Sequence, residues 1–335
     1  MKTYIFTFLI TVFLVKLNFS QDFHYAQFDA NPGYLNPALT GERMSDYKGI
    51  QFNLNYRDQM AKYTNFPGSY RSIASGLDAQ ISPKFSIGEF ISNNNSSNGY
   101  FNTLNFLVAG AYKIINETAE NERQQNFSVG LQMGFLNKSI RPQNYTYDSQ
   151  YTGNSSDGFD RGISSGETFV KESYFKYDLN FGLYYRTTFK DKRLSLFGGF
   201  AIYHITKPNE SFLGGYSPTP LRFNLHGGCK YKISDELSVM PQILYMNQAK
   251  ANELNIGALL FYKIKDTQFE PILGLNWRNK NAIIFQLGLG YQGTSVRMSY
   301  CLVTNYLKDF KNKGLEFSLI NTFSKKSKDG SKTFF

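Results

Sequence analysis

Hydrophobic and polar residues alternate between positions 221 and 232, where the sequence reads LRFNLHGGCKYK. The odd-numbered positions of this run are apolar, small or aromatic, whereas the even-numbered positions include Arg222, His226 and Lys230. Successive side chains of a β-strand point to opposite faces of the sheet. The run therefore predicts a strand with one apolar face and one hydrated, charged face.

The same alternation recurs in about fourteen segments between residues 49 and 323. An even number of such strands is typical of bacterial outer-membrane barrels, in which apolar side chains face lipid and polar side chains face the lumen. The sequence therefore predicts an all-β fold. We expect a transmembrane outer-membrane β-barrel of about 14 antiparallel strands, with an N-terminal plug or periplasmic segment.

The connections between the predicted strands fall into two sets of different length. One set is short except for residues 113–125, whereas the other contains the long polar stretches 137–173 and 204–220. Outer-membrane barrels have short periplasmic turns and longer outer loops. We therefore expect the short turns, and with them both chain ends, to lie in the periplasm.

The polar faces of the predicted strands carry charges of both signs. A lumen of mixed charge favours an internal hydrogen-bond network over an open aqueous channel. We therefore expect a plugged or narrow interior. The titratable residues predicted to face the lumen are Arg57, Asp78, Lys176, Asp178, Arg186, Arg222, His226, Lys230, Glu253, Glu270, Arg297 and Glu316.

The chain begins with the pattern of a secretory signal peptide. Residues 1–20 combine the cationic Lys2, an apolar centre and the small Ser20, which is the layout of an export signal. We assign residues 21–48 to an N-terminal periplasmic or plug segment, 49–323 to the barrel and 324–335 to a basic periplasmic tail. The rest of the sequence contains no stretch of 18 apolar residues, so it predicts no membrane-spanning helix.

Export to the outer membrane changes the interpretation of the net charge of +10. A basic chain is often a nucleic-acid binder. An exported barrel meets outer-membrane lipid, the phosphates of lipopolysaccharide and acidic protein surfaces instead. We therefore expect these partners and no nucleic acid.

Two short motifs match enzyme signatures without the surrounding structure that those enzymes need. Residues 288–293 fit G-x-G-x-x-G, but a further alternating strand follows where a dinucleotide site requires a helix. Residues 162–166 fit G-x-S-x-G, but they lie in the longest polar loop and not at a strand-to-helix turn. We expect no cofactor, no metal and no enzymatic activity, and a hydrolase that uses Ser164 or His204 stays open as one alternative.

Several segments, taken in order, carry a family resemblance. Residues 21–28 read QDFHYAQF, residues 31–41 read NPGYLNPALTG and residues 56–59 read YRDQ, followed by Met60. Together they resemble the PorP/SprF family of Bacteroidetes outer-membrane proteins, in which an aromatic residue is common at the position of Met60. Further matching pieces are His204 with residues 207–211 (KPNES), residues 226–228 (HGG), residues 240–248, residues 277–278 (WR) and residues 314–316 (GLE).

The resemblance covers essentially the whole mature chain and implies a function in type IX secretion and gliding motility. Members of the family are outer-membrane barrels, and some of them associate with the periplasmic ring proteins of the secretion system. Others are paired with one large surface adhesin and help to secrete it or to anchor it through its C-terminal domain. The family brings no catalytic residues. An outer-membrane porin or hydrophobic-solute channel is the alternative function.

The segment 31–41 suits a plug or a docking element, because its two prolines restrict the chain and its Asn and Gly residues favour turns. An ordinary periplasmic lead-in that caps the barrel is the alternative. The candidate partner-binding or plug residues are Asn31, Pro32, Tyr34, Leu35, Asn36, Pro37, Arg57, His204, Pro208, Asn209 and Ser211.

Overall fold

The chain forms one closed antiparallel β-barrel of fourteen strands. The computed structural model describes residues 22–42, 49–59, 70–96, 100–118, 123–189, 191, 193–279, 282–304 and 313–323. The predicted signal peptide and basic tail lie outside the described residues. The predicted fold and the predicted number of strands are confirmed.

Each strand pairs with its neighbours in the sequence, and β1 pairs with β14 to close the sheet. At this seam Arg57 lies opposite Glu316. The strands are β1 (Ile50–Gln59), β2 (Tyr70–Gln80), β3 (Phe85–Ser96), β4 (Phe101–Thr118), β5 (Gln124–Ile140), β6 (Ser173–Thr188), β7 (Leu194–Tyr203), β8 (Arg222–Lys232), β9 (Leu237–Gln248), β10 (Ala251–Tyr262), β11 (Phe269–Arg278), β12 (Ala282–Tyr291), β13 (Thr294–Val303) and β14 (Lys313–Phe323).

The alternation of the sequence becomes an apolar outer wall and a polar inner wall. On β12, Phe285 and Leu287 face outward with 47% and 57% of their surface exposed, whereas Gln286 between them is 4% exposed. Closure of the sheet leaves the described strands without an unpaired edge. A β-sheet in lipid requires this, because lipid cannot hydrogen-bond the backbone groups of a free edge. Among the described residues, no helix has both the length and the apolar character that a membrane crossing requires.

Strands β4 and β5 extend further into their shared connection than the sequence predicted. The expected turn at 113–125 is mostly strand, because β4 runs to Thr118 and β5 starts at Gln124. The two strands pair with each other through a register shift between Lys113 and Ile115. Polar residues such as Asn116 therefore lie in a paired strand, although the alternation of the sequence does not predict a strand there.

The connections are of unequal length at the two ends of the barrel. At one end, which we call the short-turn end, β2 and β3 are joined by residues 81–84 and β12 and β13 by residues 292–293. At the other, the long-loop end, β5 and β6 are joined by residues 141–172 and β7 and β8 by residues 204–221. The predicted asymmetry is therefore present.

Candidate functional site

Residues 22–42 pass through the interior of the barrel, and we call this segment the plug. Asp22 contacts Gln248 and Arg222, the last residue of β9 and the first of β8, at the long-loop end. Glu42 contacts Lys113 and Arg186 at the short-turn end. The plug thus runs from the long-loop end to the short-turn end. The expectation that the N-terminal segment starts on the short-turn side is wrong.

The plug contains a short 3-10 turn at Phe28–Ala30 and two further turns, each of which begins at a proline. Pro32 begins a single-turn helix, α1 (Pro32–Leu35), and Pro37 begins a 3-10 turn that ends at Leu39. Proline suits the first helical position because its fixed φ matches a helix and its missing N–H would be unpaired there. Between the two turns, the side chain of Asn36 accepts a hydrogen bond from the N–H of Ala38 (2.9 Å).

Three acidic residues of the plug bind basic residues of the wall. Asp22 Oδ2 accepts a hydrogen bond from Arg222 (2.9 Å), and Asp29 Oδ2 lies 2.7 Å from a terminal guanidinium nitrogen of Arg297. At the short-turn end, Glu42 lies 3.3 Å from Arg186. These pairs neutralise charges that burial would otherwise make costly, so the plug itself balances the charges of these three arginines.

A fourth carboxylate, Glu316 of β14, belongs to the wall and binds the plug backbone. It accepts hydrogen bonds from the N–H groups of Ala26 (2.6 Å) and Gln27 (3.0 Å), and Arg57 Nε lies 3.8 Å from it. Glu316 and Arg57 are both almost completely buried. Arg57 also lies over the ring of Phe23. The two strands that pair at the closing seam therefore both contact the same stretch of the plug, residues 23–27.

The middle of the plug packs against the opposite wall. The Asn36 amide donates to the carbonyl of Leu183 (2.9 Å) and lies 3.0 Å from Nε2 of His226. The wall is close enough here that a Cβ at Gly130 would lie 2.4 Å from the backbone of Ala38. The absence of a side chain at residue 130 therefore makes room for the plug.

Apolar lumen positions complete the plug's binding surface. Tyr34 and Leu35 are 6% and 4% exposed, and they belong to one buried cluster with Leu244 and Met246 of β9. Arg222 donates to the carbonyl of Tyr34 (3.3 Å) and lies over its ring. The plug is therefore held by apolar packing as well as by charge.

His204 holds the start of the plug. Its Nε2 lies 2.7 Å from Oδ2 of Asp22, and its Nδ1 lies 2.9 Å from Oδ2 of Asp178 on β6. Burial alone would lower the pKa of His204, but the two carboxylates raise it to about 10. Burial would raise the pKa of Asp22, but the charges of His204 and Arg222 hold it below its ordinary value. His204 is therefore a cation that joins the plug to the wall at neutral pH.

The residues that follow His204 shape the loop between β7 and β8. Asn209 Oδ1 accepts hydrogen bonds from the N–H groups of Ser211 (3.3 Å) and Ser217 (2.8 Å). The carbonyl of Pro208 accepts one from the N–H of Thr219 (2.9 Å). These contacts fold the loop back on itself, so this stretch has a clear structural role in addition to any contact with a partner.

A cavity of about 290 Å³ lies at the long-loop end, between the plug and strands β2 to β5. Ser92, Asn94, Thr103 and Asn105 supply uncharged polar groups to one wall, and several aromatic rings, including that of Tyr25, supply apolar surface. We call this space the mouth cavity. Tyr25 is 2% exposed, and its hydroxyl has no hydrogen-bond partner among the described residues.

The charged groups around the mouth cavity are already paired within the protein. Lys138 contacts Glu210, and Arg222 binds Asp22. A charged ligand would therefore have to displace one of these pairs. Amide and hydroxyl side chains offer both donors and acceptors, which suits an uncharged occupant such as a polypeptide backbone with an apolar side chain.

The candidate residues from the sequence form two connected groups. Asn31, Pro32, Tyr34, Leu35, Asn36 and Pro37 lie in the plug, and Arg57 lies in the wall against the ring of Phe23 of the plug. His204 joins the plug to the loop that contains Pro208, Asn209 and Ser211. Their part in partner binding stays a prediction.

Sequence reasoning did not single out Asp22, Asp29 and Glu42, although these residues anchor the plug. The available signal was three acidic residues in a segment that precedes strands rich in inward-facing arginine. It also missed the apolar lumen positions, such as Leu244 and Leu259, which alternation assigns to a polar wall. An apolar residue at such a position indicates that something packs against it from within.

The sequence resemblance to PorP/SprF proteins is decided by the family comparison. A family model described as "Type IX secretion system membrane protein PorP/SprF" matches residues 17–320. The chain belongs to this family. A PorP/SprF protein is a membrane component of the type IX secretion system, and a closed strand barrel is the architecture of an outer-membrane protein. No curated protein matches the chain.

Among solved structures, the barrel is similar to outer-membrane channels at low sequence identity. A TodX monoaromatic hydrocarbon channel mutant is 13% identical with a TM-score of 0.47, over 90% of this chain and 94% of that one. A Pseudomonas aeruginosa FadL homologue is 14% identical with a TM-score of 0.46, over 86% and 92% of the two chains. Likeness at this level says nothing about what the PorP/SprF barrel binds.

Proposed function

We propose that this PorP/SprF barrel binds a secreted protein at its long-loop end and helps to export it or hold it on the cell surface. The partner is the C-terminal domain of a large adhesin, and the short-turn end contacts ring proteins of the secretion system. In this proposal the barrel is a binding protein and has no catalytic role. Family membership supports the link to type IX secretion.

The observation that carries the proposal is the plug. It spans the lumen from Asp22 to Glu42 and is held by ion pairs, hydrogen bonds and apolar packing along its whole length. A solute channel needs an open path or a plug that moves readily. A lumen filled in this way favours a function at the barrel ends over passage through the barrel.

The mouth cavity gives the long-loop end a place to receive a partner. Its uncharged polar wall and aromatic surface fit an extended segment of polypeptide that has one apolar side chain. A short inserted segment would act as an anchor in a desolvated pocket, as the strongest contacts of protein interfaces do. The surrounding loop residues would then form the rim of the interface.

The test begins with deletion of the gene and a comparison of the proteins on the cell surface. We expect one large secreted protein to be lost from the surface and restored by the wild-type gene. Purified C-terminal domain of that protein should bind the purified barrel in detergent. Loss of no surface protein would contradict the proposal, and loss of all type IX substrates would point to the secretion-ring function alone.

The mouth cavity is tested with a substitution that fills it. Thr103→Trp should weaken binding of that C-terminal domain at least tenfold, because the added indole occupies the cavity. Thr152→Trp is the matched control, since Thr152 is exposed on the loop between β5 and β6 and does not line the cavity. Steady conductance of the wild-type protein in planar bilayers would instead favour the channel alternative.

A further inference from the structure

One carboxylate of the described strands, that of Glu89, lies on the outer wall away from the strand ends. Glu89 is the fifth residue of β3, and its neighbour Gly88 faces inward, since a Cβ at Gly88 would lie 2.9 Å from Thr40 of the plug. Adjacent strand residues face opposite sides, so Glu89 points outward. Its partners across the sheet are Leu77 and Val108, which are 42% and 48% exposed. The carboxylate is thus surrounded by aliphatic surface.

Glu89 lies well inside the apolar band. Phe85 and Tyr112 face each other at the short-turn end of the outer wall and are 39% and 50% exposed, as expected of an interfacial aromatic girdle. Four residues of a strand tilted by about 45° cover roughly 9 Å along the membrane normal. The apolar band of such a barrel is about 25 Å tall, so Glu89 is placed in hydrocarbon and beyond the girdle.

No other described strand has a charged residue in such a position. Elsewhere on the outer wall, charged residues of the described strands lie within two residues of a strand end, as Asp58, Arg71 and Glu117 do. Asp58 and Arg71 also contact each other across β1 and β2. Among the described residues, Glu89 has neither an ion-pair partner nor a hydrogen-bond partner. A lone carboxylate in lipid is costly and indicates a function.

The surface around Glu89 permits close approach by another protein. Ser75 on β2 and Gly110 on β4 also face outward beside it, and small residues let membrane-embedded elements approach closely. The only atoms near a Cβ at Gly110 would belong to the Phe85 ring, 3.7 Å away. The patch formed by Ser75, Glu89 and Gly110 is therefore shallow and open towards lipid.

We propose that this patch docks a second membrane-embedded protein that presents a lysine or arginine to Glu89. A basic side chain would neutralise the carboxylate where lipid cannot. A second copy of the chain does not fit, because no described outward position near the middle of a strand is basic. The partner is therefore a different membrane protein. This inference does not depend on what binds at the long-loop end.

The experiment uses the full chain in its own cells. The photo-reactive residue p-benzoylphenylalanine is placed at Val108, beside Glu89, or at Leu275, which is equally outward on β11 with 53% exposure. We expect one discrete membrane-protein adduct from position 108 and none from position 275. Adding Glu89→Leu should reduce the adduct at least tenfold, and Glu89→Asp should retain most of it.

Glu89→Leu is a suitable variant because leucine is favourable on a lipid face, so the barrel should fold as well as the wild type. Folding is checked by the shift in electrophoretic mobility between unheated and heated samples. Absence of an adduct at position 108, or an adduct unchanged by Glu89→Leu, would overturn the proposal. The first result would also be expected if the carboxylate merely reached lipid headgroups.

Discussion

The strongest test of the plug is removal of the carboxylate of Glu316. This group accepts two backbone N–H bonds from the plug and lies beside the buried guanidinium of Arg57. Glu316→Ala leaves both N–H groups without their hydrogen-bond acceptor and leaves Arg57 without its carboxylate partner. Loss of one partner of a buried ion pair costs about 3–5 kcal/mol, and the lost hydrogen bonds are part of that sum because the same atoms are involved.

The consequence is a change in how often the plug leaves its site. A loss of about 3–5 kcal/mol multiplies the population of the displaced state by a factor on the order of a hundred to a few thousand. We therefore expect Glu316→Ala to open the lumen much more often than the wild type in planar-bilayer recordings. Unfolding in urea, measured in micelles, should show a lower free energy of unfolding.

Asp235→Ala is the matched control, because Asp235 is also a carboxylate in an ion pair but is exposed in a short turn beside Lys232. Exposed pairs are worth about 0–1 kcal/mol, so this variant should behave as the wild type does. If Glu316→Ala matched Asp235→Ala in both measurements, the reasoning that the plug is held by this carboxylate would be refuted.

Three further predictions concern the plug and its wall. Asn36→Leu removes hydrogen bonds from a buried site and should lower the free energy of unfolding by about 1–3 kcal/mol in the urea titration; an unchanged midpoint would contradict this. Gly130→Ala should cost about 1–3 kcal/mol by crowding the plug, whereas Gly110→Ala on the lipid face should stay within about 0.5 kcal/mol; equal effects would argue against close packing at residue 130. The pKa of His204 is raised above its ordinary 6.5 to about 10, so its stabilising contribution is complete below pH 6.5 and is lost as pH rises to 10. The difference in melting temperature between the wild type and His204→Gln should shrink over that window, and a constant difference would count against the ion pairs of His204.

The barrel was predictable because its signal is local. The alternation of residues 221–232 depends only on which side chains face lipid. Every strand shows the same alternation, and every strand pairs with its neighbours in the sequence. The same logic explains the errors at β4 and β5. Their ends extend beyond the other strands, where both faces meet water or loops, so residues such as Asn116 carry no alternation.

The plug was harder to predict because its contacts join residues far apart in the sequence. The turns at Pro32 and Pro37 can be recognised from the local sequence. No local pattern predicts that Asp22 binds Arg222 or that Ala26 binds Glu316. The direction of the plug was also not predictable. It depends on which wall residues complement the acidic and apolar residues of the segment, and that requires the barrel to be closed.

The direction of the plug also has a consequence for biogenesis. Residue 22 lies beside the long loops, whereas β1 starts at the opposite rim. The plug must therefore lie inside the partly assembled barrel before β1 and β14 pair and close the sheet around it. An affinity tag fused ahead of residue 22 would emerge at the long-loop rim, and a bulky fusion there would have to be threaded before assembly ends.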